Sequence, residues 1–130
     1  MYKATTRAIS VTVQPRYLPD QSNPAKSHYV WAYDVRIENR GSFAVQLRSR
    51  HWKITDGLGR RQEVQGRGVV GETPRLEPGQ AFEYSSGTPL STPSGFMGGT
   101  YQMVSDSGEN FDIEIPTFSL DAPGSARQLN

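Results

Sequence analysis

The stretch His28-Tyr29-Val30-Trp31-Ala32-Tyr33-Asp34-Val35-Arg36-Ile37-Glu38 decides the fold. In it Tyr29, Trp31, Tyr33, Val35 and Ile37 share one face, and Asp34, Arg36 and Glu38 share the other. Alternation with a period of two is the pattern of a strand that turns one face to a core and the other to water. Six further segments read the same way: Ile9 to Val13, Val45 to Thr55, Gln62 to Val64, Ala81 to Ser86, Thr100 to Val104 and Phe111 to Phe118. Helix signals are weak, because Gly and Pro make up 22 of the 130 residues (13 and 9) and interrupt every 3.6-residue period. About seven strands bounded by turns predict an all-β antiparallel sandwich.

Asp56-Gly57, between Trp52-Lys53-Ile54 and Gln62-Glu63-Val64, predicts a hairpin with a four- to six-residue loop, Gly57 supplying the positive φ. Before it, Val45 and Leu47 are odd-numbered while Trp52 and Ile54 are even, and a regular strand cannot place both pairs on one face. A bulge or a change of sheet near Ser49 to His51 is expected. Gly99-Thr100-Tyr101 resembles the tyrosine corner of immunoglobulin-like folds, in which the hydroxyl bonds back to upstream backbone. With no Cys, a fibronectin type III-like version is expected. Tyr17 to Ser27 and Gly71 to Gln80, each with two Pro, read as loops. The expected organisation is a single domain over residues 1–120 and a loose tail over 121–130.

Composition removes several classes of function. The absence of Cys excludes disulfides, thiolate metal sites and cysteine nucleophiles. The longest run of hydrophobic residues is Tyr29 to Tyr33, against the roughly 20 residues that a membrane helix needs. A cytoplasmic address and no membrane association are therefore expected. His28 and His51 lie in no recognisable catalytic motif, so neither a catalytic residue nor a metal ligand is assigned. Asp106, Glu109 and Asp112 read as a solvated turn. The aromatic residues fall on strand faces as core rather than as a base-stacking platform, and with a net charge of +1 nucleic acid is not an expected partner.

Charge is unevenly distributed: residues 1–75 carry 13 basic and 6 acidic side chains (+7), and residues 76–130 carry 1 and 7 (−6). Pairing across neighbouring strands is one reading; a basic face around Arg48, Arg50, Lys53, Arg60, Arg61 and Arg67 is the other. Gly66-Arg67-Gly68-Val69-Val70-Gly71 spells the G-x-G-x-x-G of dinucleotide-binding folds. Pro74 and Pro78 would break the helix that such a site requires, and no acidic residue follows at the ribose spacing. The motif then reads as a conformationally demanding loop, or as an anion-binding nest formed by Gly66, Arg67, Gly68 and Gly71 with Arg50.

Four blocks resemble the bacterial ApaG family: Leu47 to Asp56; Val64 to Gly79, containing the glycine motif; Phe82 to Gly87; and Leu90-Ser91-Thr92-Pro93-Ser94-Gly95-Phe96-Met97-Gly98-Gly99-Thr100-Tyr101. The match runs on to Ile115-Pro116-Thr117-Phe118 and extends in order from Val11 to Leu120. The resemblance implies a fibronectin III-like sandwich, stand-alone and cytosolic in bacteria, and attached to some eukaryotic F-box proteins and to a polymerase-delta-interacting protein. It implies an interaction module with a protein partner, no cofactor, and an association with cobalt and magnesium resistance or efflux by an indirect route. Two other readings stay open: a sensor for a phosphate-rich small molecule held by the glycine loop, and a metal-dependent nucleotide-phosphate hydrolase. Oligomeric state is not legible.

Overall fold

The computed structural model describes residues 1–124 and has nine strands rather than about seven. They are β1 (Tyr2–Thr6), β2 (Ile9–Tyr17), β3 (Tyr29–Asn39), β4 (Val45–Asp56), β5 (Arg61–Arg67), β6 (Arg75–Leu76), β7 (Ala81–Leu90), β8 (Ser94–Ser105) and β9 (Asn110–Asp121). Two antiparallel sheets pack face to face, one ordered β1-β2-β3-β7 and the other β5-β4-β8-β9, with β6 added to β4. The architecture is the sandwich that the alternation predicts. β1 and β6 are the additions: Tyr2-Lys3-Ala4-Thr5-Thr6 has one large apolar residue, and β6 is too short to show a period.

β3 buries Trp31, Tyr33, Val35 and Ile37 as its sequence requires, and lies between β2 and β7. Trp52 stands at the centre of the core, its ring 5.3 Å from that of Tyr33, 6.3 Å from Tyr101 and 6.1 Å from Phe118. The Trp31 indole N–H donates to the Asp121 carbonyl at 3.2 Å, joining the two sheets. Each fully buried side chain such as Leu47 or Ile113 contributes roughly 1.5 to 3 kcal/mol of transfer free energy.

The parity conflict in β4 resolves as a bulge. Leu47 pairs with Met103 and Ser49 with Gln102, leaving Arg48 as the extra residue, just ahead of the expected position. Val45 and Leu47 on one side of it, and Trp52 and Ile54 on the other, all reach the core. The β4–β5 hairpin has the expected four-residue loop, 57–60, but the positive φ falls on Gly59 (82°) and not on Gly57. The Gly59 amide donates to the Asp56 carbonyl, so a turn over 56–59 ends on the left-handed residue.

Tyr101 corrects the tyrosine-corner reading. Its hydroxyl pairs with that of Tyr84 at 2.5 Å, because the side chain points across the sandwich to β7 and not back to upstream backbone. The segment 18–28 holds two single-turn 3-10 helices, Pro19–Gln21 and Pro24–Lys26. Of the expected tail, Asp121 closes β9 and the buried Ala122 donates its N–H to the Pro93 carbonyl; residues 125–130 lie outside the described residues.

Candidate functional site

Strand directions bring four connections to one end of the sandwich: the turn at 7–8, the loop 40–44, the segment 68–80 around β6, and the turn 106–109. Asn39 organises this end. It is 1% exposed, its side-chain N–H groups donate to the carbonyls of Phe43 (2.8 Å) and Leu76 (3.0 Å), and its Oδ1 accepts from the Gly41 amide. One buried amide thus pins the loop 40–44 to β6. The pinned loop holds the Phe43 side chain 75% exposed.

Beside Phe43 lies a cavity of about 280 Å³ walled by Ile9, Val45 and Phe111 and rimmed by Arg7 and Glu109. Arg7 and Ala8 close the β1–β2 hairpin with φ of 48° and 64°, the left-handed region that ordinary side chains avoid. That turn sets the Arg7 guanidinium 4.6 Å over the Phe111 ring and 3.0 Å from the Glu109 carboxylate. Arg7 in turn lowers the pKa of Glu109 below its ordinary value through their hydrogen bond. An apolar hollow with a few charged groups at its rim has the make-up of a binding pocket.

The glycine motif comes to the same end. Gly66 and Arg67 finish β5, and residues 69–72 form a tight turn in which Val69 and Glu72 exchange backbone hydrogen bonds, both at 2.8 Å. Val70 and Gly71 occupy its centre with φ of 43° and 82°. Gly68, at φ 65°, approaches Glu72 so closely that a Cβ would stand 2.3 Å from the Glu72 carbonyl oxygen. The conformationally demanding loop is therefore observed.

Arg50 meets this loop from below. The bulge at Arg48 turns Arg50 to the inner side of β4, where its Nη1 donates to the carbonyls of Arg67 (3.1 Å) and Gly68 (2.9 Å). The Gly68 amide donates to the Arg48 carbonyl. Arg50, Gly66, Arg67 and Gly68 are thus brought together, while Gly71 sits at the tip of the turn. The amides of Val70 and Gly71 take no hydrogen bond among the described residues.

Arginine pairing is mixed. Arg7–Glu109, Arg36–Glu83 and Arg75–Asp106 join the basic and acidic parts of the sequence, as the pairing reading expects. Of the expected basic face, Arg60 pairs with Asp56, whereas Arg48, Lys53, Arg61 and Arg67 have no carboxylate within salt-bridge distance among the described residues. His51 lies on the outer face of β4 against Glu63 at 2.7 Å. Among the described residues no three His, Asp or Glu side chains come together as a metal-holding group. Nor, among those residues, is any helix long and apolar enough to cross a membrane.

Sequence reasoning missed Phe43, Arg7, Phe111 and Asn39 as a group, since they come from four separate connections and strand ends. The one local signal was an aromatic residue placed directly after Gly41-Ser42.

Comparison with known proteins gives one consistent result. A family model described as the ApaG domain matches residues 19–105. The chain is 60% identical to Protein ApaG of Bradyrhizobium diazoefficiens and 62% identical to that of Paramagnetospirillum magneticum, in each case over the whole of both chains. A crystal structure of an ApaA protein from Bordetella pertussis, 53% identical, superposes with a TM-score of 0.87 over 90% of this chain and 95% of that one. Together with the nine-stranded sandwich, these matches place the chain in the ApaG domain family.

Proposed function

We propose that this chain is a non-enzymatic protein-interaction module that docks a partner at the loop end carrying Phe43 and Val70. The observation that carries the reading is Val70. A β-branched residue at φ 43°, 54% exposed, occupies the turn position that Asn or Gly fills most easily, so both backbone strain and exposed apolar surface are retained at one point. Phe43 adds a second exposed apolar side chain on the same end, and the cavity beside it offers a receiving pocket. The association of the family with cobalt and magnesium resistance then runs through the partner.

The test is capture from a lysate of Bradyrhizobium diazoefficiens by three immobilised forms: the unchanged chain, the double variant Phe43→Ser with Val70→Asn, and Leu58→Ser. Leu58 is 72% exposed in the hairpin at the opposite end and controls for loss of exposed apolar surface. Proteins retained by the unchanged chain and by Leu58→Ser but lost by the double variant are the expected result. Retention of the same proteins by the double variant contradicts the reading.

A second reading rests on Arg67, which lacks a carboxylate partner among the described residues and stands beside the uncommitted amides of Val70 and Gly71. These groups could hold a phosphate-rich small molecule. Calorimetry with ATP and diadenosine tetraphosphate tests it: saturable heat that Arg67→Ala abolishes supports it, and no heat at millimolar ligand removes it.

A further inference from the structure

The two open sheets have four long sides, ended by β1, β7, β9 and β5, with the two-residue β6 sharing the side of β5, and β1, β5 and β9 carry devices against pairing with another chain. β1 is five residues long and bears Lys3. β5 bears Arg61, Glu63 and Arg67. β9 bears Asp112 and Glu114, contains Pro116 and pairs with β8 through a register break. β7 differs from all three over 81–88. It is ten residues long with its one proline, Pro89, next to its end, and its one charged side chain, Glu83, is held by Arg36 at 2.8 Å on the neighbouring strand.

The hydrogen-bonding groups that β7 turns outward follow from its partner. Val30 accepts from the Leu18 amide and donates to Ser22, so its backbone faces away from β7, and the even-numbered residues of β3 face the same way. In the antiparallel register Trp31↔Thr88, Tyr33↔Ser86 and Val35↔Tyr84, the even residues of β7 therefore bond to β3. The N–H and C=O groups of Ala81, Glu83, Ser85 and Gly87 point to the open edge. Pro89 falls in the same set, where its missing N–H costs no ladder bond.

We infer that β7 pairs antiparallel with β7 of a second copy about a two-fold axis, joining two four-stranded sheets into one of eight strands. Self-pairing suits the composition of this edge. A two-fold centred on Tyr84 or Ser85 sets Glu83 opposite Ser85 or Gly87 of the second copy, so like charges do not meet. Ser85 and Gly87 leave room on the outer face. On the inner face the half-buried rings of Phe82 and Tyr84, 6.1 Å apart, extend to the edge and would be covered. A net charge of +1 opposes association little, and an isologous contact closes at the dimer, leaving only the short, Lys3-bearing β1 strands at the two edges of the joined sheet.

Light scattering over micromolar to millimolar chain concentration tests the pairing, with Ser85→Lys and Gln65→Lys as variants. Both positions are exposed, the first on β7 and the second on β5, so neither change disturbs the core. The expected result is a mass rising toward twice 14.4 kDa for the unchanged chain and for Gln65→Lys, and staying at 14.4 kDa for Ser85→Lys. Amide exchange gives a residue-level readout: Glu83, Ser85 and Gly87 should slow at high concentration and speed up on dilution. A single-chain mass at every concentration overturns the inference. So does a dimer that Ser85→Lys leaves intact, or one in which those amides exchange at the same rate as in the dilute chain.

Discussion

Val70 and Tyr101 show how single residues record different pressures. At Val70 the backbone is left-handed and the side chain is in solvent, so neither conformation nor burial accounts for a β-branched residue. Val70→Asn should raise unfolding stability by about 1 kcal/mol, because Asn tolerates the left-handed region, while weakening partner capture. Chemical denaturation and capture on the same variant check both signs. Tyr101 is fully buried against the Tyr84 hydroxyl, and burial pushes the pKa of both phenols well above 10.0, where ordinary tyrosines titrate. For an acid whose folded-state pKa is raised, the unfolded chain loses its proton first, so stability should fall as pH rises above 10. Tyr101→Phe should remove part of that alkaline loss and cost about 1 kcal/mol near neutrality, measurable by urea unfolding at both pH values.

Among the elements, legibility followed period and length. β3 could be read to the face because its alternation runs through eleven residues, and the β4 bulge could be read because parity changed within one strand. β1 and β6 could not, since one has a single large apolar residue and the other is two residues long. The glycine motif was legible as a strained loop, but the place of Arg50 beneath it was not. That depends on the bulge, which swaps the face of every residue after Arg48. Asn39 was equally hidden: it ends a strand, and only tertiary structure shows its side chain bridging Phe43, Leu76 and Gly41. Asn39→Ala leaves those groups unpaired in a buried place and should destabilise the fold by about 2 to 4 kcal/mol. Thermal unfolding measures the loss, and amide exchange should quicken first at Gly41.

At the scale of the whole molecule, part of the uneven charge of the sequence becomes pairs between its basic and acidic parts, Arg7–Glu109, Arg36–Glu83 and Arg75–Asp106. Arg75 lowers the pKa of Asp106 and Arg7 that of Glu109, in both cases chiefly through the side-chain hydrogen bond. A lowered folded-state pKa means that the unfolded chain binds protons first as pH falls. The contribution is complete above the ordinary values of 3.8 and 4.5 and is lost as pH drops through the lowered folded-state values. Stability should therefore decline below about pH 4.5, and Glu109→Gln should make that decline shallower in an acid titration followed by circular dichroism. Both pairs sit at the loop end, and Arg7–Glu109 forms the rim of the cavity beside Phe43, so charge, strain and apolar exposure converge on one end of the sandwich.

The docking surface is tested most directly by placing a photo-crosslinking phenylalanine analogue at position 43 or at position 58 and irradiating each form in the same lysate. The account predicts a discrete protein adduct from position 43 and none from position 58. Equal adducts from both ends, or none from position 43, would contradict it.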